Sequence, residues 1–131
     1  MSARDEPLAG KVGEFTSTME GLVADGGAPY DWAALAEFVA VDDFERVGTF
    51  REVQDWKQYT EMLTQWASSV DKFETSVQRI TETANLVFFE VEERHYRGGG
   101  VHLVNSMTVF DFDDHGKIQR LNVYLQQGRA A

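Results

Sequence analysis

Apolar side chains recur at Leu8, Val12, Phe15, Met19 and Val23, spacings of three and four that put them on one face of a helix. Asp25-Gly26-Gly27-Ala28-Pro29 stops that helix. Asp31 is then placed to cap a short second helix running from Trp32 to about Val39. Phe44 to Phe50 alternates but is heavily charged, the pattern of a short edge strand. A third helix is predicted from about Asp55, with Trp56, Tyr59, Leu63, Trp66 and Val70 on one face. This aromatic stripe faces the core and is expected to form one wall of a pocket.

From Asp71 onward the period changes to two. Lys72–Thr81, Leu86–Tyr96, Val101–Phe112 and Lys117–Gln127 read as strands. Turn residues separate them at Glu82-Thr83-Ala84-Asn85, Arg97-Gly98-Gly99-Gly100 and Asp113-Asp114-His115-Gly116. Helices first and a meander last is an α+β pattern, with the helices on one face of an antiparallel sheet.

Two of the turns are short enough to set a register. A Gly98-Gly99 turn puts Tyr96 opposite Val101 and His95 opposite His102. An Asp114-His115 turn puts Phe112 opposite Lys117. One sheet face then carries Val87, Phe110 and Gln119, followed by Phe89, Thr108 and Leu121, and then Val91, Ser106 and Val123. It continues through Glu93, Val104 and Leu125 to His95, His102 and Gln127. That face is apolar through its middle and is expected to lie under the helices, with Ser106 and Thr108 set among hydrocarbon. The other face, with Asn105, Met107, Asn122 and Tyr124, is mixed and suits a homodimer interface.

Composition narrows the picture. The 131 residues are the size of one domain, and no linker, repeat or low-complexity tract divides residues 1–131. There is no cysteine, which excludes disulfides, thiol nucleophiles and thiolate metal sites. The net charge is −10, from 22 acidic and 12 basic residues, so phosphate backbones and anionic lipid are repelled. Neither nucleic acid nor a membrane is an expected partner. Met1 to Pro7 has no basic-then-apolar run, and cytoplasmic location is expected.

Three helices, a short strand before the third, and a meander closing on Phe112-Asp113-Asp114-His115-Gly116-Lys117-Ile118 resemble the nuclear-transport-factor-2-like superfamily. The resemblance covers about residues 8–127 and is nearest the ketosteroid isomerases and SnoaL-type polyketide cyclases. It implies a cone-shaped α+β fold, with three N-terminal helices packed on a strongly bent antiparallel sheet. It also implies a homodimer with an apolar pocket between helices and sheet. The superfamily's catalytic residues do not carry over. Thr108 falls where ketosteroid isomerases place an oxyanion-binding carboxylic acid, and Val47 or Gly48 where they place the base. No tyrosine matches theirs near Phe15 or Met19. Arg94-His95-Tyr96 and Val123 replace the Arg-x-Asp and second aspartate of the epoxide hydrolases. Steroid isomerisation and epoxide hydrolysis by those constellations are disfavoured.

Candidate chemistry collects at the hairpin end. Glu93 and His95 are two apart on one strand, roughly 7 Å between Cα atoms, and His102 lies across from His95. A carboxylate beside imidazoles suits proton abstraction next to a carbonyl. The competing reading is a solvated polar rim. The same three are metal-ligand types, but their spacing is generic, and neither a metal nor any other cofactor is expected. Ligand contacts are expected from Phe89, Val91, Ser106, Thr108, Val123 and Leu125 on the sheet, and from Trp56 and Tyr59 on the third helix. Arg46 is a candidate for an acidic or enolate oxygen, and Tyr30 and Asp31 sit near the expected pocket mouth. Two functions fit: a cofactor-independent isomerase, cyclase or dehydratase acting on an apolar carbonyl-bearing metabolite, or a non-catalytic ligand-binding or dimeric accessory protein.

Overall fold

A computed structural model describes residues 7–25 and 29–127. The first six residues and the Gly26-Gly27-Ala28 part of the expected helix stop lie outside them. Helix α1 spans Leu8–Ala24 and buries Leu8, Val12, Phe15 and Val23. These are four of the five positions on its expected face. Helix α3 spans Trp56–Ser69 and opens on a capping box. Asp55 accepts from the Gln58 amide at 2.8 Å, and the Gln58 side chain accepts from the Asp55 amide at 3.0 Å. Such a cap contributes about 1 kcal/mol, which explains the sharp helix start directly after β-strand.

The second helix is shorter than expected. Helix α2 is a single turn, Ala33–Ala36, and no side chain caps it. Asp31 offers its backbone carbonyl to Ala34 at 3.2 Å, so its carboxylate is not the cap. The chain leaves the helix at Glu37 because Val39 bridges to Ile118 of the sheet. Ile118 N donates to Phe38 O at 2.8 Å and Ala40 N to Ile118 O at 2.9 Å. Backbone pairing with the sheet outcompetes another helical turn.

The expected edge strand is instead an interior one. Strand β1, Glu45–Val47, pairs antiparallel with β2, Val53–Gln54, and parallel with β6, Ile118–Gln127. Strands β3 (Lys72–Thr83), β4 (Leu86–Arg97) and β5 (Gly100–Phe112) complete a curved six-stranded sheet among the described residues. Its order is β2-β1-β6-β5-β4-β3. The sheet is therefore mixed, with one parallel pair. A two-residue strand such as β2 is too short to announce itself by alternation.

The β4–β5 register agrees with the sequence reading: His95 lies opposite His102 and Tyr96 opposite Val101. Gly98 and Gly99 both take positive φ, 54° and 83°, which the two-residue turn requires. The β5–β6 register differs. Phe112 pairs with Ile118, not Lys117, and Asp111 pairs with Arg120, leaving Gln119 as an extra residue. Asp113 is the cause. Its Oδ1 accepts from the amides of His115 at 2.8 Å and Lys117 at 2.9 Å, and its own amide donates to Lys117 O at 2.8 Å. The loop thus closes over five residues, and pairing resumes two positions along: Phe110 with Leu121, Thr108 with Val123, Ser106 with Leu125. A slip of two preserves the face of every side chain, so the apolar face survives the error.

That face meets α1 around a buried aromatic chain. Phe15 packs edge-on against Phe110 at 5.9 Å, and Phe110 against Phe89 at 6.0 Å. Glu20 of α1 accepts from both the amide and hydroxyl of Thr75, at 2.8 and 2.7 Å, pinning the helix to β3. Trp32 donates its indole N–H to the Thr64 hydroxyl at 2.8 Å, tying α2 to α3. No helix among the described residues is long and apolar enough to cross a membrane.

Candidate functional site

A cavity of about 440 Å³ lies between α1, α3 and the inward sheet face. Its walls are mostly hydrocarbon: Phe15, Met19 and Leu63 from the helices, and Phe89, Val91, Val123 and Leu125 from the sheet. Such a wall with a few polar groups is the usual makeup of a small-molecule site.

The polar groups form two poles. At the hairpin end, one hydrogen-bonded chain runs from helix to sheet. Trp66 Nε1 donates to His95 Nδ1 at 3.0 Å, and His95 Nε2 lies 2.9 Å from Glu93 Oε1. Ser106 Oγ donates to Glu93 Oε2 at 2.5 Å. An indole N–H only donates, so Nδ1 of His95 accepts and the ring proton sits on Nε2, from which it is donated to Glu93. The Glu93 carboxylate thus receives one donor on each oxygen, with further lone pairs left over. The side chains of His95 and Glu93 are 11% and 20% exposed, open to the cavity yet largely out of bulk water.

The second pole is Arg46 and Tyr59. Arg46 pairs with Leu121 in the ladder and so shares its inward face. Its guanidinium lies over the Tyr59 ring, 5.9 Å from the centroid, and donates to Gln54 Oε1 at 3.0 Å. Tyr59 is buried, and burial pushes its phenol up to about 12; the Arg46 charge opposes this and the Glu93 charge adds to it. Its hydroxyl has no hydrogen-bond partner among the described residues and borders the cavity as a protonated donor.

Of the residues singled out in the sequence, Glu93, His95 and His102 line the cavity, as do Ser106, Thr108 and Tyr59. His102 is exposed at the rim, its ring 6.2 Å from that of His95, and joins no hydrogen bond among the described residues. Trp56 is not in the wall. It turns toward the core, edge-on to Phe44 at 5.3 Å, because α3 begins there beside β1. Tyr30 stacks on Trp32 at 5.2 Å and also lies outside the lining. Ser106, expected to meet ligand, is engaged by Glu93. The role of Trp66 as a donor to His95 was missed, because periodicity marks a wall aromatic without saying where its N–H points. The facing of Arg46 follows only from the parallel β1–β6 pairing. Among the described residues no group of three or more His, Cys, Asp or Glu side chains is placed to hold a metal ion.

No protein-family model and no curated protein matches the chain. Solved structures do. One is an NTF2-like protein from Anabaena variabilis, 18% identical with a TM-score of 0.72, over 89% of this chain and 87% of that one. A putative SnoaL-like polyketide cyclase from Shewanella putrefaciens is 11% identical, TM-score 0.68, over 92% and 80%. A protein with a ketosteroid isomerase-like fold from Catenulispora acidiphila, in complex with trimethylamine, is 13% identical, TM-score 0.63, over 85% and 84%. The chain has the nuclear-transport-factor-2-like fold shared by SnoaL-like cyclases and ketosteroid isomerase-like proteins.

Proposed function

We propose that the protein is a cofactor-independent proton-transfer enzyme of the isomerase, cyclase or dehydratase kind, acting on an apolar carbonyl-bearing metabolite. One observation carries this reading: a carboxylate, Glu93, is held at fixed aim by His95 and Ser106 in the wall of an otherwise apolar cavity. Glu93 removes a proton from the carbon beside the ligand carbonyl and returns it to another position. His95 and Ser106 hold the carboxylate in place, and His95 is itself locked by Trp66. Thr108, without a hydrogen-bond partner among the described residues, offers its hydroxyl to the carbonyl oxygen. Preorganised donors of this kind stabilise the developing enolate, while a positioned base typically contributes about a hundred- to ten-thousand-fold in rate.

The non-catalytic reading is favoured by one fact: each oxygen of Glu93 already accepts a hydrogen bond within the protein. Rim and wall substitutions separate the two readings. Once a metabolite screen has found a ligand, Glu93→Gln should abolish turnover and leave affinity nearly unchanged, while Val91→Phe and Val123→Phe fill the cavity and abolish binding. Wild-type turnover in Glu93→Gln would overturn the assignment of the base.

The active form is a cytoplasmic homodimer joined through the outer sheet face. Support comes from Leu103 and Tyr124, 51% and 60% exposed on that face beside Met107 and Asn122. The neighbour solved with trimethylamine supports a role in holding small organic molecules.

A further inference from the structure

The charge balance of the cavity constrains the ligand beyond its carbonyl. The chain has ten more acidic than basic residues, and its sheet arginines are paired accordingly. Arg79 meets Glu90, Arg94 meets Glu92 and Glu74, and Arg120 meets Glu45. Arg97, at the hairpin end of the lining, makes no ion pair among the described residues but spends its Nε and Nη2 on the Ser69 carbonyl and hydroxyl. Arg46 makes no ion pair among the described residues. Only its Nη1 is engaged, on a neutral amide oxygen, and the rest of its five-donor fork is unspent. Glu52 lies nearby but outside ion-pair distance, its carboxylate turned to the Phe50 amide at 3.3 Å. Beside Arg46 stands Tyr59, 5% exposed as a residue, its hydroxyl without a hydrogen-bond partner among the described residues. Two unspent donors, one of them a full positive charge, therefore converge on one end of an apolar cavity.

The position of this pole matters as much as its charge. Arg46 sits on the ladder rung of Leu121 and Phe110, and Glu93 sits on that of Val104, three inward rungs away. That is roughly 20 Å along the strands between backbone positions, shortened by both side chains reaching inward. The inward rungs of Phe89 and Val91 lie between the two, and Tyr59 feels the charge of both Arg46 and Glu93. Arg46 and Met62 also line a smaller adjoining cavity of about 230 Å³, bordered by Gln54 and by Phe50 of the β1–β2 hairpin. The guanidinium stands at the junction of the two spaces.

We infer that the ligand is an apolar carboxylic acid, whose carboxylate is received by Arg46 and the Tyr59 hydroxyl while its carbonyl-bearing body reaches toward Glu93. This rests on reading the cavity as a ligand site and specifies the class of ligand. A guanidinium fork matches a carboxylate in two parallel hydrogen bonds, and charge-assisted bonds are about twice as strong as neutral ones.

Matched probes test it: 2-naphthylacetate against 2-naphthylacetamide, and 4-biphenylacetate against its amide, each titrated calorimetrically into the full chain. The acids should bind the wild-type protein at least about tenfold more tightly than the amides. Arg46→Met should erase that ratio without weakening the amides, and Tyr59→Phe should weaken the acids several-fold while leaving part of the ratio. Equal affinities for acid and amide in the wild-type protein, or a ratio that survives Arg46→Met, would overturn the inference. The readout is an affinity ratio and is independent of turnover. Loss of the acid preference with Glu93-dependent turnover intact would sink this inference alone. An intact preference with turnover indifferent to Glu93 would sink the proton-transfer reading alone.

Discussion

The indole N–H of Trp66 meets Nδ1 of His95 at 3.0 Å, and this contact sets what the imidazole can do. With Nδ1 accepting, the ring offers only Nε2–H, and that proton is directed at Glu93. In the proposed reaction His95 therefore aims the carboxylate, and Glu93 is the base. The ring is held further by Phe73, whose centroid lies 5.0 Å away. Helix α3 and strand β4 thus fix one side chain from two directions, which is how a fold holds a site to sub-ångström tolerance.

Trp66→Phe keeps the wall and removes the donor. Long-range proton–nitrogen NMR of the wild-type protein should show His95 protonated at Nε2 and unprotonated at Nδ1. In the variant that tautomer preference should relax, and turnover should fall about ten- to a hundred-fold through misaim of Glu93. A wild-type ring protonated at Nδ1 would contradict the arrangement.

How much of this was legible in the sequence divides along physical lines. Helices α1 and α3 and the four long strands follow from periodicity, because each buries one face. The His95–His102 pairing follows from Gly98-Gly99, which admits essentially one hairpin geometry. The β5–β6 register was read two residues off, since the Asp113 side chain builds a longer turn than its neighbours suggest. The inward residues were still identified, because face depends on parity and not on the exact partner. Arg46 has no facing without the parallel β1–β6 pairing, and Trp56, expected among the ligand contacts, packs on Phe44 instead because its side chain depends on the angle at which α3 starts.

Tyr59 should ionise late. Burial holds its phenol near 12. A folded-state value raised above the ordinary 10 stabilises the fold below pH 10, and that contribution is lost as pH climbs toward 12. The two-unit shift corresponds to about 3 kcal/mol. Ultraviolet phenolate titration should show a late step that is absent in Tyr59→Phe and moves later still in Arg46→Met. A late step persisting in Tyr59→Phe would assign it elsewhere.

The outer face should be covered by a second copy. Sedimentation equilibrium is expected to give twice the single-chain mass of 14.8 kDa. Leu103→Lys with Tyr124→Lys places like charges across the twofold and should return the single-chain mass without unfolding the protein. A wild-type protein that sediments as one chain at micromolar concentration would contradict the dimer.

The most direct test of proton transfer reads the proton itself. A carbonyl-bearing ligand found by screening is incubated in deuterated water with protein, and deuterium at the carbon beside the carbonyl is followed by NMR. The wild-type protein should speed incorporation far above the buffer rate. Glu93→Gln, bound to the same extent, should fall by at least about a hundred-fold, while His102→Ala, altered only at the exposed rim, should stay near wild type. Exchange as fast in Glu93→Gln as in the wild-type protein would contradict the assignment of Glu93 as the base.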